Sequence, residues 1–291
     1  MDPIATIGLC VRNAEKTIVE SVGSIVAQDY PHEFLRLILV DDGCRDRTID
    51  LAKEELAKSD IKVTIMKVNG RGLGAARQTV VENAEGKYII WIDGDITVPK
   101  DHVRKQVEFM ESNYKLGKAR AHWEKYEGGN LVARLENFQV LDYGKGYSTL
   151  RGIGGSVFRT AALRQIGGFD RKIRGAGEDI DVDFRLKLAG WNLALSSTTF
   201  HHAFRESWSK LWEQYYWYGQ GGHYVLHKNP QAFQKWHRIP TIAFFIGVLY
   251  SVKAYKSSRK KVAFLLPLQF LFKNTAWCLG FLDAHSQKYQ S

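Results

Sequence analysis

Between Ala5 and Ile92 this chain repeats one alternation, a short apolar β-rich run followed by a stretch with apolar residues at helical spacing. Ala5 to Val11, Leu35 to Val40, Lys62 to Val68 and Tyr88 to Ile92 read as strands; Ala14 to Gln28, Asp46 to Ala57 and Leu73 to Ala84 read as the helices between them. Parallel neighbours need a crossover, and the crossover helix covers a sheet face. The order therefore predicts an α/β, Rossmann-like domain: a mostly parallel sheet with helices on both faces. In such sheets the ligand crevice lies beyond the carboxyl ends of the strands. What the chain places there is where its chemistry is to be sought.

Two of the four strands end in carboxylates. Leu35 to Val40 runs into Asp41-Asp42-Gly43, and Tyr88 to Ile92 into Asp93-Gly94-Asp95. Side chains alternate along a strand, so Asp93 and Asp95 fall on one side, and Gly94 lets a ligand approach the backbone. Paired hard oxygens suit Mg²⁺ or Mn²⁺, which share their remaining positions with water and substrate phosphates. Each pair alone also fits an ordinary turn or helix cap. Gly70-Arg71-Gly72-Leu73-Gly74 follows the third strand without the spacing of a dinucleotide loop. Its N–H groups can still meet an anion, and Arg77, one turn into the helix, can meet a diphosphate.

Of 291 residues 45% are hydrophobic, ample for a packed core. Cys10, Cys44 and Cys278 have no metal-ligand spacing and cannot all pair, which predicts reduced thiols and a cytosolic or cytosol-facing domain. Met1-Asp2-Pro3 leads straight into a strand, so no secretory signal is expected. The net charge is +10, and residues 201 to 291 hold twelve Lys or Arg against Glu206, Glu213 and Asp283. Two apolar stretches in that region, 239 to 255 and 262 to 282, are joined by the basic run 256 to 261. This favours an anionic membrane over nucleic acid as partner. The first stretch is shorter than the roughly 20 residues of a spanning helix, and Pro267 and Lys273 interrupt the second. Helices lying in the interface are expected, with Trp236, Tyr250 and Trp277 at its boundary, against the alternatives of core helices or a short membrane hairpin. An aromatic helix over Ser207 to Tyr224, carrying Trp208, Trp212, Tyr215, Tyr216 and Tyr218, connects the two regions; packing is its default, and a sugar platform is open.

The order of motifs resembles the family 2 inverting glycosyltransferases of the GT-A fold over about two thirds of the chain. The elements are Asn13 after the first strand, Val40-Asp41-Asp42-Gly43, Gly74-Ala75-Ala76-Arg77 and Trp91-Ile92-Asp93-Gly94-Asp95. They continue with Gly154-Gly155, Ile166-Gly167-Gly168-Phe169-Asp170, Gly177-Glu178-Asp179 and Leu188-Ala189-Gly190-Trp191. The resemblance implies a GT-A domain at residues 1–205, an aromatic connecting helix at 206–238 and basic, apolar membrane-associating helices at 239–291.

It also implies roles. Asn13, Asp41, Asp42, Arg77, Asp93, Gly94 and Asp95 would bind the donor nucleotide sugar, a UDP-sugar ahead of a GDP-sugar. Asp95, Asp93 and His202 would hold Mn²⁺ or Mg²⁺, with His201 an alternative to His202. Gly154, Gly155, Glu178 and Trp191 would face the sugar or acceptor, and Asp179 would be the base that deprotonates the acceptor hydroxyl. Arg171, Lys172 and Arg174 lie on a loop that can meet phosphate. The expected reaction moves a sugar to a hydroxyl of a membrane-linked, lipid-linked glycan. The Q-x-x-R-W motif of processive synthases is missing, so single additions are expected. A dolichyl-phosphate sugar synthase is the enzymatic alternative, and a non-catalytic nucleotide-sugar or glycan binding protein the alternative of another class.

Overall fold

The computed structural model describes residues 4–124, 129–142, 150–173, 175–232 and 238–287. Trp236 and Arg174 lie outside them. Two compact units divide the chain: Met1–Glu124, Gly146–Arg174 and Val182–Ala203 form the first, and Lys125–Lys145, Gly175–Asp181 and Phe204–Ser291 the second.

The first unit is built on an eight-stranded sheet. Its strands are β1 (Ala5–Val11), β2 (Leu35–Asp41), β3 (Lys62–Lys67), β4 (Tyr88–Trp91), β5 (Ile96–Thr97), β6 (Leu116–Trp123), β7 (Ser156–Arg159) and β8 (Asn192–His202). Their order is β3-β2-β1-β4-β7-β6-β8-β5. β3, β2, β1 and β4 run parallel, as do β6 and β8, whereas β7 opposes β4 and β6, and β5 opposes β8. The sheet is thus mixed where the strand–helix repeat gives out.

Alternation assigns its two faces. Ile7, Leu9, Leu37, Leu39 and Ile90 belong to one buried cluster, and Ile38, Val40, Ile89, Trp91 and Phe158 to another. Strands buried on both sides read as continuous apolar runs, which is why β1, β2 and β4 are recognisable. The edge strand β3 is mostly exposed and carries Lys62 and Lys67, which discourages further pairing. Helix α1 (Ile18–Val26) packs Ile18, Val22 and Ile25 inward. α2 (Thr48–Leu56) and α3 (Leu73–Asn83) are the other two crossover helices, close to their expected bounds.

α4 (His102–Glu111) is tied to β8 through His102, whose Nδ1 lies 3.1 Å from the Thr199 carbonyl. Burial pushes this imidazole down from 6.5 to about 4, the Thr199 carbonyl opposing in part. The unfolded chain therefore binds the proton more tightly. Stability is complete above about pH 6.5 and falls as pH drops toward 4, by roughly 3 kcal/mol in full. Urea midpoints between pH 7 and 4 should show this slope, and His102→Gln should flatten it.

The second unit is helical: α5 (Leu131–Asp142), the start of α7 (Glu178–Leu188), α8 (Trp208–Lys228), α9 (Pro240–Ser258) and α10 (Leu266–Ser286). α6 (Thr160–Gln165) belongs to the first unit. Ser207 caps α8 by accepting the Lys210 N–H, and Pro240 sits in the first turn of α9. α8 and α10 cross in backbone contact, since a Cβ on Gly219 would lie 2.0 Å from the Trp277 carbonyl oxygen and one on Gly280 2.0 Å from that of Tyr216. Lys273 is not an interruption of α10. It is buried and salt-bridged to Glu136 of α5 at 2.7 Å, where Gln269 also donates to the same carboxylate.

Candidate active site

β4 delivers Asp93-Gly94-Asp95 directly into β5, and β5 pairs with the end of β8, Ile96 opposite His202 and Thr97 opposite His201. That register brings Asp95 Oδ2 within 3.4 Å of His202 Nε2, with both side chains partly open to solvent. Alternation sends His201 to the other side. The Trp123 ring lies edge-on against His202 at 5.1 Å. Hydrogen bonds pin the turn: Ala203 N–H donates to the Asp95 carbonyl, Thr17 Oγ1 to that of Gly94 and Ser21 Oγ to that of Asp93. Thr17 and Ser21 were not singled out in the sequence, although polar residues at i and i+4 beside the buried Ile18 and Val22 were a readable signal.

Asp93 is held differently. Arg77 Nη2 donates to both of its oxygens at 3.2 Å, and the guanidinium is buried, 5.8 Å from the Trp91 ring centroid. Arg77 thus meets the Asp93 carboxylate directly. A Cβ on Gly154 would lie 2.6 Å from Asp93 Oδ2 and 2.2 Å from Ile96 Cδ1, which is why that position is glycine. Removing one partner of such a pair leaves a poorly solvated charge. Arg77→Ala should cost about 2–3 kcal/mol, less than the ~3–5 kcal/mol of a fully buried pair because Asp93 is partly exposed. Denaturant midpoints would measure this, with Arg77→Lys intermediate.

The second carboxylate pair stands at the end of β2. β1 lies between β2 and β4, so the two pairs are about 10 Å apart across neighbouring strand ends. Asp41 Oδ1 accepts the N–H groups of Gly43 and Cys44, a turn role, while Asp42 Oδ1 accepts the Gly72 N–H at 3.0 Å. Arg12 reaches Asp42 Oδ2 at 3.9 Å. Asn13, in the left-handed region with φ 52, accepts the Arg45 N–H. Asn13, Asp41, Asp42 and the 70–72 loop therefore share one rim.

The remaining sequence candidates have local partners of their own. A Cβ on Gly94 would meet Val11 and Ala14, so packing under α1 explains its size. Gly155, φ 74, abuts Phe200 and donates to the Trp91 carbonyl, a role in the sheet. The structure does not bring Trp191 to the carboxylates. It precedes β8 at the end opposite His202, about 30 Å away along an extended strand. There its Nε1 donates to Gln165, and it packs over Gly117. Glu178 and Asp179 open α7 within the second unit, Glu178 buried and Asp179 partly exposed. Two residues on, Asp181 is bound by Lys228 at 2.9 Å and Asn229 at 2.7 Å. Arg171 pairs with Glu82 on the surface, and the Lys172 N–H donates to Asp170.

A mixed α/β sheet with flanking helices carries an Asp-Gly-Asp turn and a second carboxylate pair at strand ends one strand apart, the architecture of solved GT-A type glycosyltransferases. The chain belongs to glycosyl transferase family 2, whose model matches residues 6–165; the model for glycosyl transferase family group 2 matches 88–282. The poly-beta-1,6-N-acetyl-D-glucosamine synthase of Staphylococcus epidermidis is 24% identical over 228 residues, 75% of this chain and 54% of that protein. The Staphylococcus aureus poly(ribitol-phosphate) beta-N-acetylglucosaminyltransferase TarS is 28% identical over 102 residues, 35% of this chain and 18% of that protein. The chain thus spans about half the length of one relative and less of the other. In fold it matches the mannosyltransferase PcManGT of Pyrobaculum calidifontis, solved with GDP-Man and Mn²⁺, with a TM-score of 0.67, 15% identity, and 99% of this chain and 88% of that one covered. TarS residues 1–349 with UDP-GlcNAc match with a TM-score of 0.54, 16% identity, and 98% and 91% coverage.

Proposed function

We propose that this chain is an inverting, metal-dependent glycosyltransferase that moves a sugar from a nucleoside-diphosphate sugar to a hydroxyl of a lipid-linked glycan. The observation that carries this is the convergence of Asp95 Oδ2 and His202 Nε2 beside the Arg77-anchored Asp93. One carboxylate oxygen and one imidazole nitrogen fit Mn²⁺ or Mg²⁺. Asp95 and His202 would hold the ion, which when bound supplies positive charge to the departing nucleoside diphosphate.

The chain's own groups divide the remaining work. Asp42, with Asn13 and Asp41 on the same rim, orients the base and ribose of the donor. Arg77 acts by fixing Asp93, and Thr17 and Ser21 hold the Asp93-Gly94 backbone still. Asp179 takes the proton from the acceptor oxygen, a step an anionic phosphate acceptor would not need. Residues 1–205 form the catalytic domain in this reading, and 206–238 connect it to the helices beyond. In this reading the catalytic domain faces the cytosol.

Residues 239–291 would dock on an anionic membrane. α9 buries a stripe of small residues, Ala243, Gly247 and Ser251, and leaves Leu249 73% and Phe245 68% exposed; on α10 Leu268 is 58% and Leu282 59% exposed. The exposed Lys256, Arg259, Lys260 and Lys261 sit at the turn between these helices. Such an apolar face with a basic border is the composition of an interfacial anchor. Lys261–Ser286 is also long and apolar enough to cross a bilayer, with 44% of its apolar window buried. Phe245→Asp with Leu249→Asp should reduce binding to phosphatidylserine vesicles by at least about tenfold in flotation, since buried apolar area sets this affinity. Unchanged flotation would remove the docking role.

The reaction is tested by incubating the full chain and Mn²⁺ with UDP- and GDP-sugars and a lipid-linked glycan. An elongated glycan whose new linkage is inverted by NMR supports the reading. Transfer to polyprenyl phosphate alone would replace it.

A further inference from the structure

The last turns of α8 and α10 bring three imidazoles together. His223 and His227 stand one turn apart on one face of α8, their ring centroids 4.5 Å apart. His285 of α10 places its Nδ1 3.2 Å from His223 Nε2. One nitrogen from each of the three rings lies within 4.8 Å of the others. His223 is only 4% exposed, and its Nδ1 has no hydrogen-bond partner; His227 and His285 are at the surface. The carboxylate on this part of α10, Asp283, is engaged by Gln220 at 3.1 Å and Gln287 at 2.8 Å.

Three neutral imidazoles are borderline-soft donors, the set that selects Zn²⁺, Cu²⁺ or Ni²⁺ over Mg²⁺ or Ca²⁺. Tetrahedral zinc with bonds of ~2.0–2.1 Å holds its ligand atoms about 3.4 Å apart. The 3.2 Å between His223 and His285 is already near that spacing. The helices that supply the ligands are locked at Gly219 and Gly280, so the positions are preformed. We propose that His223, His227 and His285 form a three-histidine site for Zn²⁺ or a similar transition metal, made of residues separate from the Asp95 and His202 pair. The ion clamps α8 to α10, with its fourth position turned to solvent on the side of His227 and His285.

The test uses the full chain, purified without a polyhistidine tag and stripped with EDTA, titrated with Zn²⁺ alone by calorimetry and with Co²⁺ by visible absorption. The expected result is one Zn²⁺ per chain with a Kd of about 10 μM or tighter, the d–d bands of tetrahedral Co²⁺, and a Tm raised by about 3 °C or more. The double variant His227→Ala, His285→Ala changes surface residues only, leaving His223 in the helix crossing. It should weaken Zn²⁺ binding at least about tenfold and lose the Co²⁺ bands, whereas Asp95→Asn should keep both. Binding weaker than 10 μM in the folded parent, or full-strength binding in the double variant, would overturn the site.

Discussion

Asp95→Asn should lower sugar transfer by at least about 10²–10³-fold, the cost of deleting one group that stabilises charge developing in a transition state. The amide keeps the size of the side chain and can still accept hydrogen bonds, but it lacks the charge and basicity of a carboxylate ligand. The turn itself should survive, because it is held by main-chain oxygens: Thr17 Oγ1 and Ser21 Oγ donate to the Gly94 and Asp93 carbonyls and Ala203 N–H to that of Asp95. The stability change should therefore stay within about 1 kcal/mol. Initial rates across a Mn²⁺ titration, beside a thermal melt, make the comparison. A rate within about threefold of the parent at all Mn²⁺ concentrations would remove Asp95 as the metal-bearing group.

Asp179→Asn should cut kcat by about 10²–10⁴-fold, the usual contribution of a positioned general base. The substitution removes one of three first-turn carboxylates, about 0.3–1 kcal/mol of interaction with the helix dipole, so α7 should still start at Glu178 and nucleotide affinity should hold within about twofold. That separation, turnover lost and donor binding kept, distinguishes a base from a residue that builds the donor site. Unchanged transfer would exclude Asp179 as the base.

The parts of the fold legible in the sequence are those whose pattern is local. β2 and β4 are continuous apolar runs buried on both faces and ending in carboxylates, so strand and candidate site emerged together. β6 was hidden by its own charges. Lys118 is fully buried in it, and its ammonium is satisfied by Asp183, 65 residues away, and by the Leu150 carbonyl. β8 carries no continuous apolar run, because Ser196, Ser197, Thr198 and Thr199 stand between Leu195 and Phe200, yet it runs through the buried Thr198 and Phe200 to His202. The choice between His201 and His202 depended on register against Ile96 and Thr97, about a hundred residues earlier, which no local pattern encodes. Lys273 looked like a break in an apolar helix because its partner Glu136 lies 137 residues away. For the same reason Trp191, a member of the motif series, carried no sign that it sits at the far end of β8.

The most direct test of the account is calorimetric titration of the full chain with UDP and with GDP, each in Mn²⁺ and in EDTA, repeated on Asp95→Asn. The account predicts that one nucleotide binds with Mn²⁺, that EDTA weakens it at least about tenfold, and that Asp95→Asn binds alike in both conditions. Binding of neither nucleotide, or equal affinity of the parent with Mn²⁺ and EDTA, would contradict a metal-assisted donor site at Asp93, Asp95 and His202.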